Sequence, residues 1–299
     1  MAIGVHQPTS MQRRSFLLTP ALLAAKPAYA PTLTVQVYVW TQWLNREKRT
    51  LASGLDEIFS GFREAGYKHV ELTSNLLAPD LIEKTTTLLK QNDLRLPVVY
   101  QGGNIHDADA ASKTVDAITA LAAQVKPLGT KAIVFNTAPK PRRERKSDED
   151  LARQRQAMTD MAKRLKTHGL NLLLHQHAPE MSENSREWRD LLRVKTLGVC
   201  LDVHWILRGG QDVMTLVRES GPRIADVHLR NSRNAIWQED LSDGDVDYRA
   251  VAAYLKQIGY RGYLTVELAW EAGTQITRPL VDSLRRSRLY AEEVFGLKA

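Results

Sequence analysis

The stretch "NLLLHQHAPEM", from Asn171 to Met181, closes an apolar run with two histidines one residue apart and a glutamate three residues further on. On an extended strand, residues two apart project to the same side, so His175 and His177 face whatever lies beyond the strand end. Two imidazoles near a carboxylate form a frequent donor set for a divalent cation. They also fit a strand terminus with two hydrogen-bonded structural histidines, and the remainder of the chain has to decide. Similar groups end other apolar runs. Glu71 lies in "HVELTS", Asp202 and His204 in "LGVCLDVHW", His228 in "RIADVHLRN" and Glu267 in "GYLTVELAW", with Gln42, Gln101, His106 and Asn136 in comparable places. A buried carboxylate is costly without a partner, so each acid taken singly fits a structural ion pair. Taken together, Asp202 and Glu267 facing one another call for a cation, beside which His175 and His228 offer neutral donors.

Such convergence requires elements that bring strand ends to one axis. After Pro31, eight short apolar runs, "TVQVYVW", "HVELTS", "RLPVVYQ", "KAIVFNT", "NLLLHQH", "LGVCLDVHW", "RIADVHLRN" and "GYLTVELAW", alternate with longer segments. Those segments carry apolar residues at helical spacings of three and four, as in "TLASGLDEIFSGFREAGY", "ASKTVDAITALAAQVKPLG" and "DEDLARQRQAMTDMAKRLKTHG". Gly66, Gly129, Gly169 and Gly259 follow helical patterns, where a left-handed residue ends a helix. Eightfold alternation predicts one closed α/β domain, a (β/α)8 TIM barrel over residues 31–299, with its site at the C-terminal strand ends. An open doubly wound sheet is the weaker alternative, because no glycine-rich phosphate loop follows the first strand.

The 299 residues carry a net charge of +7, and Arg13, Arg14 and Lys26 precede any acidic residue. Setting those three aside leaves 38 basic residues against 34 acidic ones. The remaining basic residues are scattered apart from "KPRRERK" (Lys140 to Lys146), read as a solvated loop, so no nucleic-acid partner is expected. The N-terminal "MQRRSFLLTPALLAAKPAYAP" combines an arginine pair, a short apolar segment and the Ala28-Tyr29-Ala30 triplet. It resembles a twin-arginine export signal over residues 1–30, implying a periplasmic protein. Its apolar stretch is too short for a membrane span, which needs about 20 residues, so no stable membrane insertion is expected. Cys200 is the single cysteine, which excludes an internal disulfide and reads as a small buried hydrophobe.

The strand-end residues resemble those of the xylose-isomerase-like barrel superfamily, in particular its sugar phosphate isomerase/epimerase group. "LHQHAPEM" is similar to a His-Asn-His-x-x-Glu segment, "CLDVHWILRGGQD" to Asp-x-x-Trp followed by Gly and Asp, and "RIADVHLRN" to Val-His-Leu-Lys-Asp. "LSDGDVDY" is similar to a Gly-x-Gly-x-x-Asp loop, and "GYRGYLTVELAW" to the last-strand Gly-Tyr-x-Gly and Val-Glu. The resemblance implies Asp202, His228 and Glu267 as metal ligands, with His175 as the fourth unless Glu180 reaches back from its loop. It implies His177, Glu180 and Glu71 as substrate or acid/base residues, and a divalent ion, Mn or Zn, as cofactor. Arg230-Asn231 and Asp243 depart from the pattern, and the first of these puts any lysine-dependent step in doubt.

The implied chemistry is isomerisation, epimerisation or dehydration of a small sugar, oxidised sugar or cyclitol by proton abstraction beside a carbonyl. Trp40, Trp43, Trp205, Trp237 and Trp270 are near predicted strand ends, where aromatic faces suit either sugar stacking or core packing. An apurinic-endonuclease-like phosphodiesterase and a non-catalytic sugar- or metal-binding barrel are the alternatives. The oligomeric state is not legible.

The export reading has a direct test. Replacing Arg13 and Arg14 by lysine should leave precursor in the cytoplasm, whereas the unaltered chain should yield periplasmic protein starting near Pro31. An unchanged periplasmic yield in fractionated cells would count against this route.

Overall fold

In a computed structural model, which describes residues 1–4 and 28–297, eight strands close into a parallel barrel. The strands are β1 (Thr32–Gln36), β2 (His69–Thr73), β3 (Arg95–Gly103), β4 (Ala132–Thr137), β5 (Asn171–His175), β6 (Gly198–Asp202), β7 (Ile224–Leu229) and β8 (Tyr263–Val266). Each pairs with its sequence neighbour, and β8 closes onto β1 with Thr32 opposite Tyr263 and Val35 opposite Val266. The expected TIM barrel is therefore the observed fold. The arginine pair and the apolar part of the expected export signal lie outside the described residues. Ala28 and Tyr29 are described, with the Tyr29 hydroxyl donating to the Phe295 carbonyl at 2.9 Å and Arg261 donating to the Ala28 carbonyl at 3.0 Å.

The helices follow the apolar spacing. Leu51–Glu64, Ala108–Val125 and Asp148–Thr167 match the three quoted patterns, and Gly66, Gly129, Gly169 and Gly259 all have positive φ, between 67° and 89°. The helix from Asp148 opens with a reciprocal cap in which Ser147 Oγ accepts from the Asp150 N–H and Asp150 accepts from the Ser147 N–H. Among the described residues, no helix is long and apolar enough to cross a membrane.

Alternation along each strand separates two cores. The larger lies between barrel and helices and includes Val35, Val70, Leu72, Val99, Phe135, Leu174 and Val266. The smaller, inside the barrel, contains Val98, Ala132, Val134, Leu173 and Cys200, with Tyr100, Ala225 and Tyr263 against it. Residues of this inner parity continue toward the strand ends as Tyr100, Asn136, His175, Asp202, His228 and Glu267. The barrel thus becomes polar where its strands finish.

Two expectations are corrected here. The first run, "TVQVYVW", alternates like a strand throughout, yet the strand stops at Gln36 and a helix spans Tyr38–Arg46. The Gln36 side chain accepts from the Tyr38 N–H at 2.7 Å, which turns the chain at that point. Trp40 consequently packs edge-on against Phe62 in the outer core, 1% exposed, and not at the mouth. The "KPRRERK" segment is not wholly solvated either. Lys146 is buried and its ammonium donates to Glu187 Oε1 at 2.6 Å.

Candidate functional site

The four expected donors meet. One ligand atom each from His175, Asp202, His228 and Glu267 lies within 4.8 Å of the others, and all four residues are buried. They come from β5, β6, β7 and the residue just after β8, so strand parity alone aims them at the axis. His175 Nε2 has no hydrogen-bond partner among the described residues, although it is fully enclosed. An orphaned imidazole nitrogen beside two carboxylates and a second imidazole is a donor set suited to a divalent cation. Burial, aided by His228 and His177, holds the His175 imidazole well below the ordinary histidine range, which keeps it neutral.

His228 joins this group to the layer beneath it. Its Nδ1 lies 2.9 Å from Glu267 Oε2 and its Nε2 lies 3.3 Å from Glu71 Oε2. Burial opposes charge on His228, but Cys200, Glu71 and Glu267 outweigh it and hold the imidazole well above its ordinary range. Glu71, Asp226 and His228 form a second donor group, and His175, Cys200 and His228 a third. Cys200 is therefore more than a packed hydrophobe: its Sγ is 3.5 Å from His175 Nδ1. On sequence alone Cys200 reads only as a packed hydrophobe, and Asp226 is not among the candidate donors. The two-residue period could have found them, since each precedes a candidate ligand by two positions on its strand.

Arg230 is the largest surprise. Its guanidinium donates to Asp202 Oδ2, and Nη1 lies 3.2 Å from Glu267 Oε2. Against the cost of burial, Arg230 and His228 hold Glu267 far below the usual carboxylate range, while burial lifts Asp202 to about 6 in spite of Arg230. Asp202 has a second task, because its Oδ1 accepts from the Trp205 N–H at 2.8 Å and caps the helix Val203–Arg208.

His177 lies beyond the strand end, outside the donor group. Its ring packs edge-on against His175, centroids 5.0 Å apart, and against Trp205 at 5.4 Å. Burial lowers it to about 4, so it is neutral and able to accept a proton. Between the two histidines, Gln176 faces the other way: its amide donates to the Asp202 carbonyl at 2.7 Å and ties β5 to β6. Glu180 does not reach the donors. It lies in the turn Pro179–Met181, accepting from the His177 N–H at 2.8 Å and from Thr137 Oγ1 at 3.3 Å. Glu71 lies inside the barrel beside His228, with its Oε1 also 3.3 Å from His228 Nε2.

Of the remaining strand-end residues, His204 supports a neighbouring loop through Ser232 Oγ at 2.9 Å. Gln42 clasps the Trp270 backbone, donating to its carbonyl at 2.9 Å and accepting from its N–H at 2.8 Å. Asn136 accepts from the Tyr100 hydroxyl at 2.8 Å and stands 3.4 Å from His177 Nδ1. Gln101 accepts from Ser74, and His106 lies buried in the loop after β3. A two-stranded hairpin, Ser232–Arg233 with Ile236–Trp237, was not foreseen and carries Trp237 to within 5.2 Å of Trp205.

Comparison with known proteins agrees with this architecture. A family model described as xylose isomerase-like TIM barrel matches residues 60–289. The rhizopine catabolism protein MocC of Rhizobium meliloti is 26% identical over 258 residues, 75% of this chain and 78% of that protein. Among solved structures, a D-allulose 3-epimerase from Methylomonas sp. in complex with D-allulose has a TM-score of 0.71 at 20% identity, covering 90% of this chain and 99% of its own. A 3-keto-D-glucoside 4-epimerase from E. coli has a TM-score of 0.65 at 16% identity, covering 88% and 99%. At these identities the structural likeness is one of fold.

Glu180 generates a stability test. Burial, reinforced by the Glu187 charge, raises its carboxyl from the ordinary 4.5 to about 7. A group that holds its proton more tightly when folded makes unfolding easier as pH rises between its two pKa values. Stability should therefore fall by on the order of 3 kcal/mol from about pH 4.5 to 7, and Glu180→Gln should remove that part of the dependence. Denaturant titrations of both proteins at pH 5 and pH 8 measure it, and parallel losses in the two would exclude this origin.

Proposed function

The chain belongs to the xylose isomerase-like TIM barrel family, and from that premise we propose that it is a divalent-cation-dependent isomerase or epimerase acting on a sugar, oxidised sugar or cyclitol, with loss of a β-substituent as the related alternative outcome. The observation that carries this reading is the convergence of His175, Asp202, His228 and Glu267 within 4.8 Å, with His177 packed edge-on against His175. Relatives described as D-allulose 3-epimerase and 3-keto-D-glucoside 4-epimerase support a sugar-like substrate. The proposal includes export to the periplasm, motivated by Arg13, Arg14 and the Ala28-Tyr29-Ala30 triplet.

The donor set fits a divalent ion, Mn or Zn, which would supply Lewis acidity beside the reacting carbon. The chain's own groups do the rest. His177, neutral and at the strand end, takes or returns the proton at that carbon. The Glu180 carboxylate fixes the His177 backbone and so orients the ring. Glu71, hydrogen-bonded to His228, sets the orientation of that imidazole and is the second acid/base candidate. Trp205 and Trp237 offer aromatic faces around the same space, against which the apolar side of a sugar ring can pack.

His175→Ala, Asp202→Asn, His228→Ala and Glu267→Gln should each lower the divalent metal bound by purified protein, whereas His177→Ala and Glu180→Gln should retain it. Full occupancy in all four donor variants would remove the cation site. A screen of sugars, oxidised sugars and cyclitols in D2O should reveal deuterium at one carbon of the substrate class, and His177→Ala should slow that exchange by about 10²- to 10⁴-fold. Retained metal with no exchange into any compound would instead mark a binding barrel.

A further inference from the structure

Arg230 holds a position that the cation reading alone does not explain. It is 3% exposed, yet it carries a full positive charge into the donor group. Its guanidinium carbon lies 4.8 Å from the Trp205 ring centroid and 4.9 Å from that of Trp237. Its backbone is gripped by Tyr248, whose hydroxyl accepts from the Arg230 N–H at 3.1 Å and donates to the Arg230 carbonyl at 2.6 Å. Asp202 and Glu267, the two carboxylates it engages, are the two acidic members of the four-residue donor set. Arg230 Nε has no partner among the described residues, so the side chain is held by its two terminal nitrogens and by the aromatic faces.

A guanidinium and a divalent ion on the same two carboxylates repel one another, and the low dielectric of a buried site strengthens that repulsion. Both cannot hold Asp202 and Glu267 at full strength. Resting on the cation reading of the donor group, we propose that Arg230 is a built-in competitor for the ion and sets its affinity by contesting Asp202 and Glu267. The paired tryptophan faces give the competition a reversible form. A guanidinium resting against two rings that stand edge to face, 75° apart, keeps a favourable contact with one or the other as it shifts, so it can yield its carboxylates without leaving the protein. Ion uptake then moves a positive charge relative to Trp205 and Trp237, the two rings proposed to meet the sugar. A lysine would not serve equally, because an ammonium is a point charge that lacks the planar two-pronged reach needed to span two carboxylates.

The test is a calorimetric Zn²⁺ titration of the full chain, of Arg230→Met and of Arg230→Lys, with far-ultraviolet circular dichroism to verify folding. Arg230→Met should bind Zn²⁺ at least ten-fold more tightly than the unaltered protein, and Arg230→Lys should fall between them. Saturation with Zn²⁺, which is diamagnetic, should alter tryptophan emission in the unaltered protein and leave it nearly unchanged in Arg230→Met. Equal or weaker affinity in a folded Arg230→Met overturns the competition while leaving the cation site standing. Should that variant not fold, an affinity of Arg230→Lys no higher than that of the unaltered chain overturns it. Absence of Zn²⁺ binding in all three proteins overturns both the competition and the cation site.

Discussion

Four carboxylates, Glu71, Asp202, Asp226 and Glu267, are enclosed in one barrel, none more than 5% exposed. Withdrawing a charged group from water costs several kcal/mol even after relaxation, and neighbouring like charges add to that. The barrel meets this constraint in two ways. Asp226 is lifted to about 7 by burial and so holds a proton through much of the neutral range, while Thr265 Oγ1 donates to it at 2.8 Å. Glu267 remains ionised because Arg230 and His228 stand beside it. The placement of Arg230, the tryptophan pair around it and the Tyr248 clasp all follow from the need to hold compensating charge in the interior.

Much of this was legible because it is local. Eight apolar runs and four glycines after helices depend on neighbouring residues only, and they gave the barrel. His175, Asp202, His228 and Glu267 could be selected because residue type and strand-end position coincide. Cys200 and Asp226 obey the same parity, but a thiol between valine and leucine, or an acid preceding a valine, looks like ordinary strand composition. Trp40 misled because "TVQVYVW" alternates without a break, and the turn at Gln36 depends on a side chain reaching two residues ahead. Lys146 and Glu180 were out of reach for another reason. Lys146 is paired 41 residues away with Glu187, whose charge adds to burial in raising the Glu180 carboxyl, and no period encodes such a contact.

A division of labour runs through the mouth of the barrel. Charged groups and imidazoles occupy the axis, whereas primary amides position them. Gln36 donates to Glu267 at 3.3 Å, Gln176 ties β5 to β6, and Gln42 fixes the segment after β8. Asn231 makes the same use of its amide: it donates to the Ser242 and Val246 carbonyls at 2.9 and 3.1 Å and accepts from the Ser232 and Val246 N–H groups, both at 3.0 Å. An amide can satisfy donors and acceptors together without titrating, so it stiffens the loop without altering the charge balance beneath. Gly244 completes that loop, since a Cβ there would lie 2.2 Å from the Ser232 carbonyl oxygen. Asn231 thus holds the loop that carries Trp237 towards Arg230 without adding another acid near the buried carboxylates.

His228 belongs to all three donor groups, with Glu267 at one ring nitrogen and Glu71 at the other. An imidazole nitrogen cannot keep its proton and lend the same lone pair to an ion. As an imidazolium held between Glu267 and Glu71, His228 would have to give up a proton to hold a cation, and falling pH would favour the protonated ring. A cation held there would be released as pH falls, with the carboxylates on either side of one ring setting the threshold.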